Sequence, residues 1–284
     1  KKIIMRDRCQ PETKITFDEY VYYRLDKSRI VAGKKIMKKY KDELQIISDH
    51  FSIQSRFIIA ILGLESFYSK NQGSIRTMEA ITTLSYDRRR SEFYKKQLFA
   101  ALKIIDDGLV PSNLLLGSWG GATGAPQFLP TTYLESAYDF DKDGFADIWK
   151  NDLDIWASIA NYLTNLEDVP WDNSSTWGRE VIPPKDIKEF FESLKQINPK
   201  GCGAVKRRSV SKKLSEWQNL GFRTIDGKDL PMEREDLEAR LVAPDGVNGK
   251  RFFLVYPNWK NILYYNCSSY YALTVALLSD EISQ

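Results

Sequence analysis

The sequence offers few residues for acid–base or metal chemistry. His50 is the only histidine in the 284 residues, so multi-histidine zinc sites such as HExxH are excluded. A serine or cysteine nucleophile would have to use His50, which lies in an ordinary helical stretch between Asp49 and Phe51. No phosphate-binding glycine motif of the Walker or Rossmann type is present. We therefore expect any catalysis here to depend on carboxylates.

Glu65 lies in an apolar pattern that carboxylates usually avoid. It follows Ile61 by four residues and Leu62 by three, so on a helix it continues the apolar face. Burial raises the pKa of a carboxylic acid, and a glutamic acid protonated near neutral pH can act as a general acid. The alternative is a structural glutamate, hydrogen-bonded or paired with Arg56 or Arg76. The pattern alone leaves both roles open.

An aspartate-rich segment, residues 139–147, has the spacing of a loop that binds a hard cation. In this aspartate loop, oxygen ligands stand at the first, third, fifth and ninth positions, and Gly144 stands at the sixth, where an EF-hand turns sharply. The Phe145 carbonyl takes the seventh position. Lys150 stands at the twelfth in place of the usual glutamate, so Asp152 or Asp154 must supply the last ligand. A plain turn without metal is the alternative.

A glycine- and proline-rich segment, residues 117–130, could bring its backbone close to a ligand. The composition of this glycine loop opposes regular structure. Ser118, Gln127 and Phe128 could bind a polar ring there by hydrogen bonds and stacking. The same composition also suits a purely structural loop.

Helices must position most of these residues. The apolar spacing predicts an amphipathic helix from Ile36 to His50 and a second one capped by Ser52 or Ser55. Further helices are predicted over 92–105, 155–163 and 270–278, and two strands over 240–242 and 251–256. We therefore expect an α+β chain that is mainly α.

The composition is that of a globular chain. Hydrophobic residues make up 43% and charged residues 28%, which excludes collagen-like and wholly disordered proteins. The net charge of +3 is too small for a dedicated nucleic-acid binder, and the basic run Lys206-Arg207-Arg208 is most simply a solvated surface.

No apolar stretch reaches the roughly 20 residues needed to cross a bilayer. Cys9, Cys202 and Cys267 allow one disulfide at most.

Taken together and in order, these segments resemble the membrane-bound lytic murein transglycosylase B family, whose members cleave bacterial peptidoglycan. Agreement extends from about residue 35 to residue 278. The matching stretches are Gly63-Leu64-Glu65-Ser66, Ala80 to Ser85, Gly117-Ser118 to Tyr133, Asp139 to Trp149, Ala160-Asn161-Tyr162, Tyr256-Pro257-Asn258, and Tyr265-Asn266 with Tyr271-Ala272.

The resemblance implies a lysozyme-like catalytic core with an EF-hand-like loop, flanked by a helical domain and a small β-containing domain. We expect a helical region at 1–50, the core with its metal loop at 51–165, the β-containing domain at 166–266, and a closing helix at 267–284 that packs back on the helical region. The chemistry is expected to need no cofactor, and calcium is expected to be structural. The implied calcium ligands are Asp139, Asp141, Asp143, Phe145 and Asp154. The implied substrate-binding residues are Ser118, Gln127, Phe128, Tyr133, Asn266 and Tyr271.

The resemblance also implies a mechanism with one carboxylate. Glu65 would act as general acid and then base, cleaving the β-1,4 bond between N-acetylmuramic acid and N-acetylglucosamine to leave 1,6-anhydro ends. The implied partners are peptidoglycan strands, with no nucleic acid among them. The resemblance also implies a monomer in the periplasm. It would be soluble or lipid-anchored through a leader absent from the chain.

Two alternatives stay open. A hydrolytic muramidase or chitinase-like enzyme would need a second carboxylate, for which Glu79 and Asp87 are candidates. A non-catalytic, calcium-stabilised glycan-binding module would use Glu65 only structurally.

Overall fold

The computed structural model describes residues 2–8, 15–166, 169–231, 234 and 237–284. It divides into two compact units. The first comprises Lys1–Ile15, Arg24–Asn165 and Leu278–Gln284, and the second comprises Thr16–Tyr23 and Leu166–Leu277. The predicted division into four segments is finer than these two units and stays a prediction.

Helices predominate, and short antiparallel strands accompany them, so the predicted fold class is confirmed. The helices are α1 (Lys2–Arg8), α2 (Phe17–Arg24), α3 (Lys27–Lys39), α4 (Lys41–Phe51), α5 (Ser55–Ser66), α6 (Thr77–Tyr86), α7 (Ser91–Asp106), α8 (Pro130–Ser136), α9 (Asp152–Thr164), α10 (Ile187–Phe190), α11 (Gly203–Lys206), α12 (Leu214–Asn219), α13 (Pro257–Tyr265) and α14 (Ser269–Ile282). The strands are β1 (Ile75–Arg76), β2 (Leu116–Gly117), β3 (Gly178–Ile182), β4 (Ser211–Lys213), β5 (Arg223–Thr224), β6 (Glu238–Val242) and β7 (Phe252–Val255).

The first unit is built around α5. Every residue from Phe57 to Leu64 is buried, and the helix packs against α3, α4 and α9, as expected for a helix without a polar face. Arg56 pairs with Asp280 of α14 at 2.6 Å, so the end of α14 also contacts α5.

The predicted helix from Ile36 to His50 is two helices. At Tyr40 the backbone leaves the helical region, with φ −112° and ψ 34°, so α3 ends and α4 begins there. The apolar face survives the break, because Leu44 and Ile47 are buried. Gln54 occupies the N-cap position of α5, so the prediction that Ser52 or Ser55 caps it is wrong.

The second unit contains a five-stranded antiparallel sheet in the order β4-β6-β7-β3-β5. The two strands predicted from the sequence are β6 and β7. They pair with each other, and Leu241 lies opposite Leu254. Trp217 and Phe222 of the α12 region pack in the core on this sheet, and the Trp217 indole donates to the Ala239 carbonyl at 3.0 Å.

The second unit also contains a disulfide. Cys202 and Cys267 are bonded, with 6.3 Å between their Cα atoms, and Cys9 lies outside the described residues. Within the part of the chain that the structure describes, no helix is both long and apolar enough to cross a bilayer.

Candidate active site

Glu65 is the second-last residue of α5 and is half-buried, whereas Leu64 and Ser66 on either side of it are buried. The carboxyl group therefore lies where the apolar interior meets the surface. A proton donor needs such a position, because the core holds it in place while a substrate can still reach it.

Two arginines fix the backbone just before Glu65. Arg29 Nε donates to the Gly63 carbonyl at 3.0 Å, and Arg24 Nη2 donates to the Leu64 carbonyl at 3.1 Å. The last carbonyls of a helix have no partner within the helix, so these charge-assisted bonds satisfy them. Arg29 is itself buried, at 8% exposed, and pairs with Asp26 at 2.9 Å.

The segment after Glu65, residues 66–73, makes a sharp turn that we name the glutamate turn. Phe67, Tyr68 and Ser69 have φ angles of 51°, 58° and 68°, in the left-handed region that non-glycine residues rarely adopt. Each such residue costs about 1–3 kcal/mol and persists only where surrounding contacts hold it.

The contacts that hold the glutamate turn are specific. The centroid of the Phe67 ring lies 5.1 Å from the Arg29 guanidinium and 5.4 Å from the Lys70 ammonium. The Tyr68 hydroxyl donates to the Arg29 carbonyl at 2.9 Å. It fits there because residue 63 is glycine; a Cβ on Gly63 would lie 2.8 Å from that hydroxyl oxygen. These interactions stabilise the turn that follows the candidate acid.

The glutamate turn is bonded to both loops singled out in the sequence. Gln72 Nε2 donates to the Ser69 carbonyl at 3.0 Å and to the Trp149 carbonyl, just beyond the aspartate loop, at 2.9 Å. Gln127 Nε2 donates to the Gln72 carbonyl at 2.9 Å and to the Gly124 carbonyl at 2.8 Å. The two glutamines therefore tie three segments together.

The predicted substrate residues of the glycine loop differ in accessibility. Ser118 and Gln127 are half-buried, and no donor among the described residues contacts Gln127 Oε1. Gly73 lies directly against the Gly117 carbonyl and the Ser118 amide, which places Ser118 beside the glutamate turn. Both Ser118 and Gln127 are thus near the segment that follows Glu65.

Three of the predicted substrate-binding residues, all of them aromatic, are buried. Phe128 is 2% exposed and packs against Tyr162, with 6.0 Å between the ring centroids, and its stacking on a sugar stays a prediction. Tyr133 is 4% exposed and donates to the Ala146 carbonyl at 3.2 Å; burial raises the pKa of its hydroxyl. Tyr271 is 2% exposed. All three rings contribute to the core, and their predicted contacts with substrate stay predictions.

Asn266 and Tyr271 lie in the second unit. Asn266 is exposed at the end of α13, so its side chain is open to a ligand. Its predicted contact with substrate stays a prediction.

The aspartate loop gathers carboxylates in the way its spacing predicts. Oxygens of Asp139, Asp141 and Asp143 all lie within 4.8 Å of one another. Asp139 accepts from the Gly144 amide at 2.8 Å, and Asp143 accepts from the Phe145 amide at 2.8 Å. A group of three carboxylates fits a hard cation such as calcium, which prefers oxygen ligands.

Asp154 has a different position from these three carboxylates. It is fully buried, and its two oxygens accept from the Phe140 and Asp147 amides, each at 2.8 Å. Burial raises the pKa of the Asp154 carboxyl group, and this effect outweighs the lowering of the pKa by the two amide hydrogen bonds. Asp154 thus closes the base of the aspartate loop, and its predicted role as a calcium ligand stays a prediction.

Residues 1–280 match the family model described as the transglycosylase SLT domain. The chain belongs to this family. The resemblance drawn from the motifs is therefore confirmed. The membrane-bound lytic murein transglycosylase B of Escherichia coli (strain K12) is 26% identical over 254 residues, which are 88% of this chain and 63% of that protein. The chain thus spans less than two thirds of the length of this relative.

Solved structures of the transglycosylase family share the fold. SltB3 from Pseudomonas aeruginosa, in complex with NAG-anhNAM-pentapeptide, is 36% identical with a TM-score of 0.86, over 99% of this chain and 70% of that one. The Escherichia coli lytic transglycosylase Slt35 in complex with calcium is 23% identical with a TM-score of 0.75, over 94% of this chain and 78% of that one. The second likeness concerns the fold alone.

Proposed function

We propose that this chain is a lytic transglycosylase that cleaves the MurNAc–GlcNAc β-1,4 bond of peptidoglycan and leaves 1,6-anhydroMurNAc ends. The observation that carries the proposal is the half-buried Glu65 at the end of a buried helix, in a chain that belongs to the transglycosylase SLT domain family. SltB3 was solved with a fragment that carries an anhydro-muramoyl group, the product type of such a reaction.

In the first step, protonated Glu65 donates its proton to the glycosidic oxygen as the bond to the anomeric carbon breaks. The leaving sugar departs with a free 4-hydroxyl group. The N-acetyl group of the muramoyl sugar stabilises the positive charge that develops at the anomeric carbon, so a second protein carboxylate is not needed.

In the second step, the ionised Glu65 removes the proton from the C6 hydroxyl group of the muramoyl sugar. The C6 oxygen attacks the anomeric carbon and closes the 1,6-anhydro ring. Glu65 ends protonated, as it began, and no water is consumed.

The residues around Glu65 hold the acid and the sugar in place. Arg24 and Arg29 anchor the carbonyls before it. Gln127, whose amide nitrogen is occupied by two backbone carbonyls, presents its Oε1 to accept from a sugar hydroxyl or amide. Ser118 is a further polar contact in this proposal, and Asn266 of the second unit keeps its predicted role as a contact to the glycan strand. Such positioning is worth up to about a hundredfold in rate.

Calcium has a structural role in this proposal. Asp139, Asp141 and Asp143 would hold the ion, with the Phe145 carbonyl and Asp154 as further ligands. Three carboxylates within 4.8 Å of one another repel each other, and a divalent cation removes that repulsion. The ion would keep the aspartate loop folded beside Trp149, whose carbonyl Gln72 contacts.

The proposed place of action is the periplasm, with the chain acting as a monomer on glycan strands, soluble or lipid-anchored. The Cys202–Cys267 disulfide supports an oxidising compartment.

Digestion of purified murein in water labelled with heavy oxygen tests the activity. We expect unlabelled anhydro ends, which are one water lighter than reducing ends. Labelled reducing ends would instead identify a hydrolase, and intact murein would identify a binding module. The Glu65→Gln variant, incubated under the same conditions, controls for a contaminating enzyme.

A further inference from the structure

The second unit contains a cavity of about 440 Å³ that is lined by both apolar and basic residues. The apolar residues of the lining include Phe191, Leu194 and Leu241, and the basic residues include Lys206, Arg207 and Arg208. The basic run that looked like a solvated surface in the sequence therefore lines a pocket. A volume of this size fits a small organic ligand.

Arg208 differs from the other basic residues that line the cavity. It is 7% exposed, and within the described part of the chain its guanidinium makes one hydrogen bond, a long one from Nε to the Val205 carbonyl at 3.4 Å. Among the described residues, no carboxylate pairs with it. A buried cation without a counter-ion is costly, so the position favours an anion that enters from outside.

The charged neighbours of Arg208 do not neutralise it. Burial and the guanidinium of Arg240 lower the pKa of Arg208 to about 10, against a smaller raising effect of Tyr264. Arg208 is therefore still a cation at neutral pH. Arg240 is already engaged, because its Nη1 donates to the Ser209 carbonyl at 2.8 Å.

Two acidic residues that neighbour lining residues in the sequence have other partners. Glu192 pairs with Lys195 at 2.6 Å. Asp245, which follows Pro244 of the lining, accepts from the Phe17 amide at 3.0 Å and from the Tyr270 hydroxyl. Arg208 and the exposed Lys206 and Arg207 therefore leave the cavity with a net positive charge.

We propose that this cavity binds the free C-terminal carboxylate of a peptide, with a small apolar side chain against Phe191, Leu194 and Leu241. A guanidinium matches a carboxylate with two parallel hydrogen bonds, and the apolar residues of the lining can contact the adjoining residue of a peptide, which a bare inorganic anion lacks. The identity of the peptide rests on the proposed function, since the stem peptides of peptidoglycan end in D-alanine and a free carboxylate.

Calorimetric titration of the full chain tests this site. The probes are diacetyl-L-lysyl-D-alanyl-D-alanine, the same peptide with a C-terminal amide, and inorganic phosphate. We expect the acid to bind at least about tenfold more tightly than the amide, because the amide loses the charge-assisted bonds. We expect phosphate to bind more weakly than the acid, because it lacks an apolar part.

Matched variants locate the binding. Arg208→Gln should weaken binding of the acid by about tenfold or more, whereas Lys185→Gln, the same change at an exposed lysine outside the lining, should leave it unchanged. If Arg208→Gln fails to fold, the comparison of acid and amide on the unaltered chain still tests whether the chain binds the free carboxylate.

Three results would overturn the site: no binding of the acid at millimolar concentration, equal binding of acid and amide, or phosphate binding as tight as that of the acid. The titration requires no glycan cleavage. A chain that cleaves murein but does not bind the peptide therefore overturns this site alone, and a chain that binds the peptide without cleaving murein overturns the proposed activity alone.

Discussion

The glutamate turn and the aspartate loop keep their shapes by opposite means. The glutamate turn holds Phe67, Tyr68 and Ser69 in left-handed conformations, and side chains from other segments contact it, Arg29 at the Phe67 ring and Gln127 at the Gln72 carbonyl. The aspartate loop relies on its own carboxylates, which accept from its own amides. One segment is fixed by its neighbours, whereas the other gathers negative charge that a cation would neutralise.

This difference separates the chemistry from the stability of the first unit. Substitutions in the glutamate turn should alter turnover without altering any response to calcium. Substitutions in the aspartate loop should remove the response to calcium and should affect turnover only through the contact of Gln72 with the Trp149 carbonyl. Gln72 links the two, because its side chain donates to the Ser69 carbonyl in the glutamate turn and to the Trp149 carbonyl just beyond the aspartate loop.

The largest effect is expected from Glu65→Gln. The amide keeps the size of the side chain but cannot transfer a proton, so turnover on purified murein should fall by at least about a hundredfold. The melting temperature and its calcium dependence should stay as in the unaltered chain.

The matched control is Glu79→Gln, the same change at an exposed glutamate of α6. It should retain full turnover. Equal inactivation by both variants would favour the hydrolytic alternative, in which Glu79 is a second catalytic carboxylate.

The second effect concerns the aspartate loop. Calcium at a hundredfold excess over its Kd should stabilise the fold by about 2.7 kcal/mol, measured as a rise in melting temperature over the chelated protein. Asp141→Asn should remove that rise, and Asp106→Asn, at an exposed aspartate of α7, should keep it. An unchanged melting temperature on chelation would mean that the loop is a plain turn.

Local signals made much of this site predictable from the sequence. Apolar spacing predicted the helix that carries Glu65, and alternate aspartates predicted the group of Asp139, Asp141 and Asp143. These patterns work because each depends on residues close together in the chain.

Long-range packing made the rest unpredictable. No glycine in residues 67–69 indicates the left-handed turn, because the contacts of Arg29 and Tyr68 impose it. The burial of Phe128 depends on Tyr162, and the burial of Arg208 depends on how the second unit folds. The two-residue strands β1 and β2 are too short to show any periodicity.

The third effect tests how tightly the glutamate turn is held. Gly63→Ala would place a Cβ 2.8 Å from the Tyr68 ring carbon and hydroxyl oxygen, and overpacking of this kind costs about 1–3 kcal/mol. Thermal or denaturant unfolding measures this loss. In Gly203→Ala, the added Cβ meets only the flexible end of Arg207, at 3.3 Å, so this control should unfold nearly as the parent does. Equal stability of the two variants would show that the turn adapts freely.

The smallest effect is expected from Gln72→Met, which removes the bonds to the Ser69 and Trp149 carbonyls while keeping the side-chain length. The glutamate turn would then lose its link to the aspartate loop, and misplacement of Glu65 should lower kcat about tenfold with little change in KM. Gln45→Met, which removes one surface bond to Asp49, is the control and should retain kcat.

Chelation of calcium should lower kcat of the parent more than that of Gln72→Met, because the variant no longer connects the two segments. If Gln72→Met loses stability but keeps kcat and the same response to chelator, the two segments act independently and Gln72 only stabilises the fold.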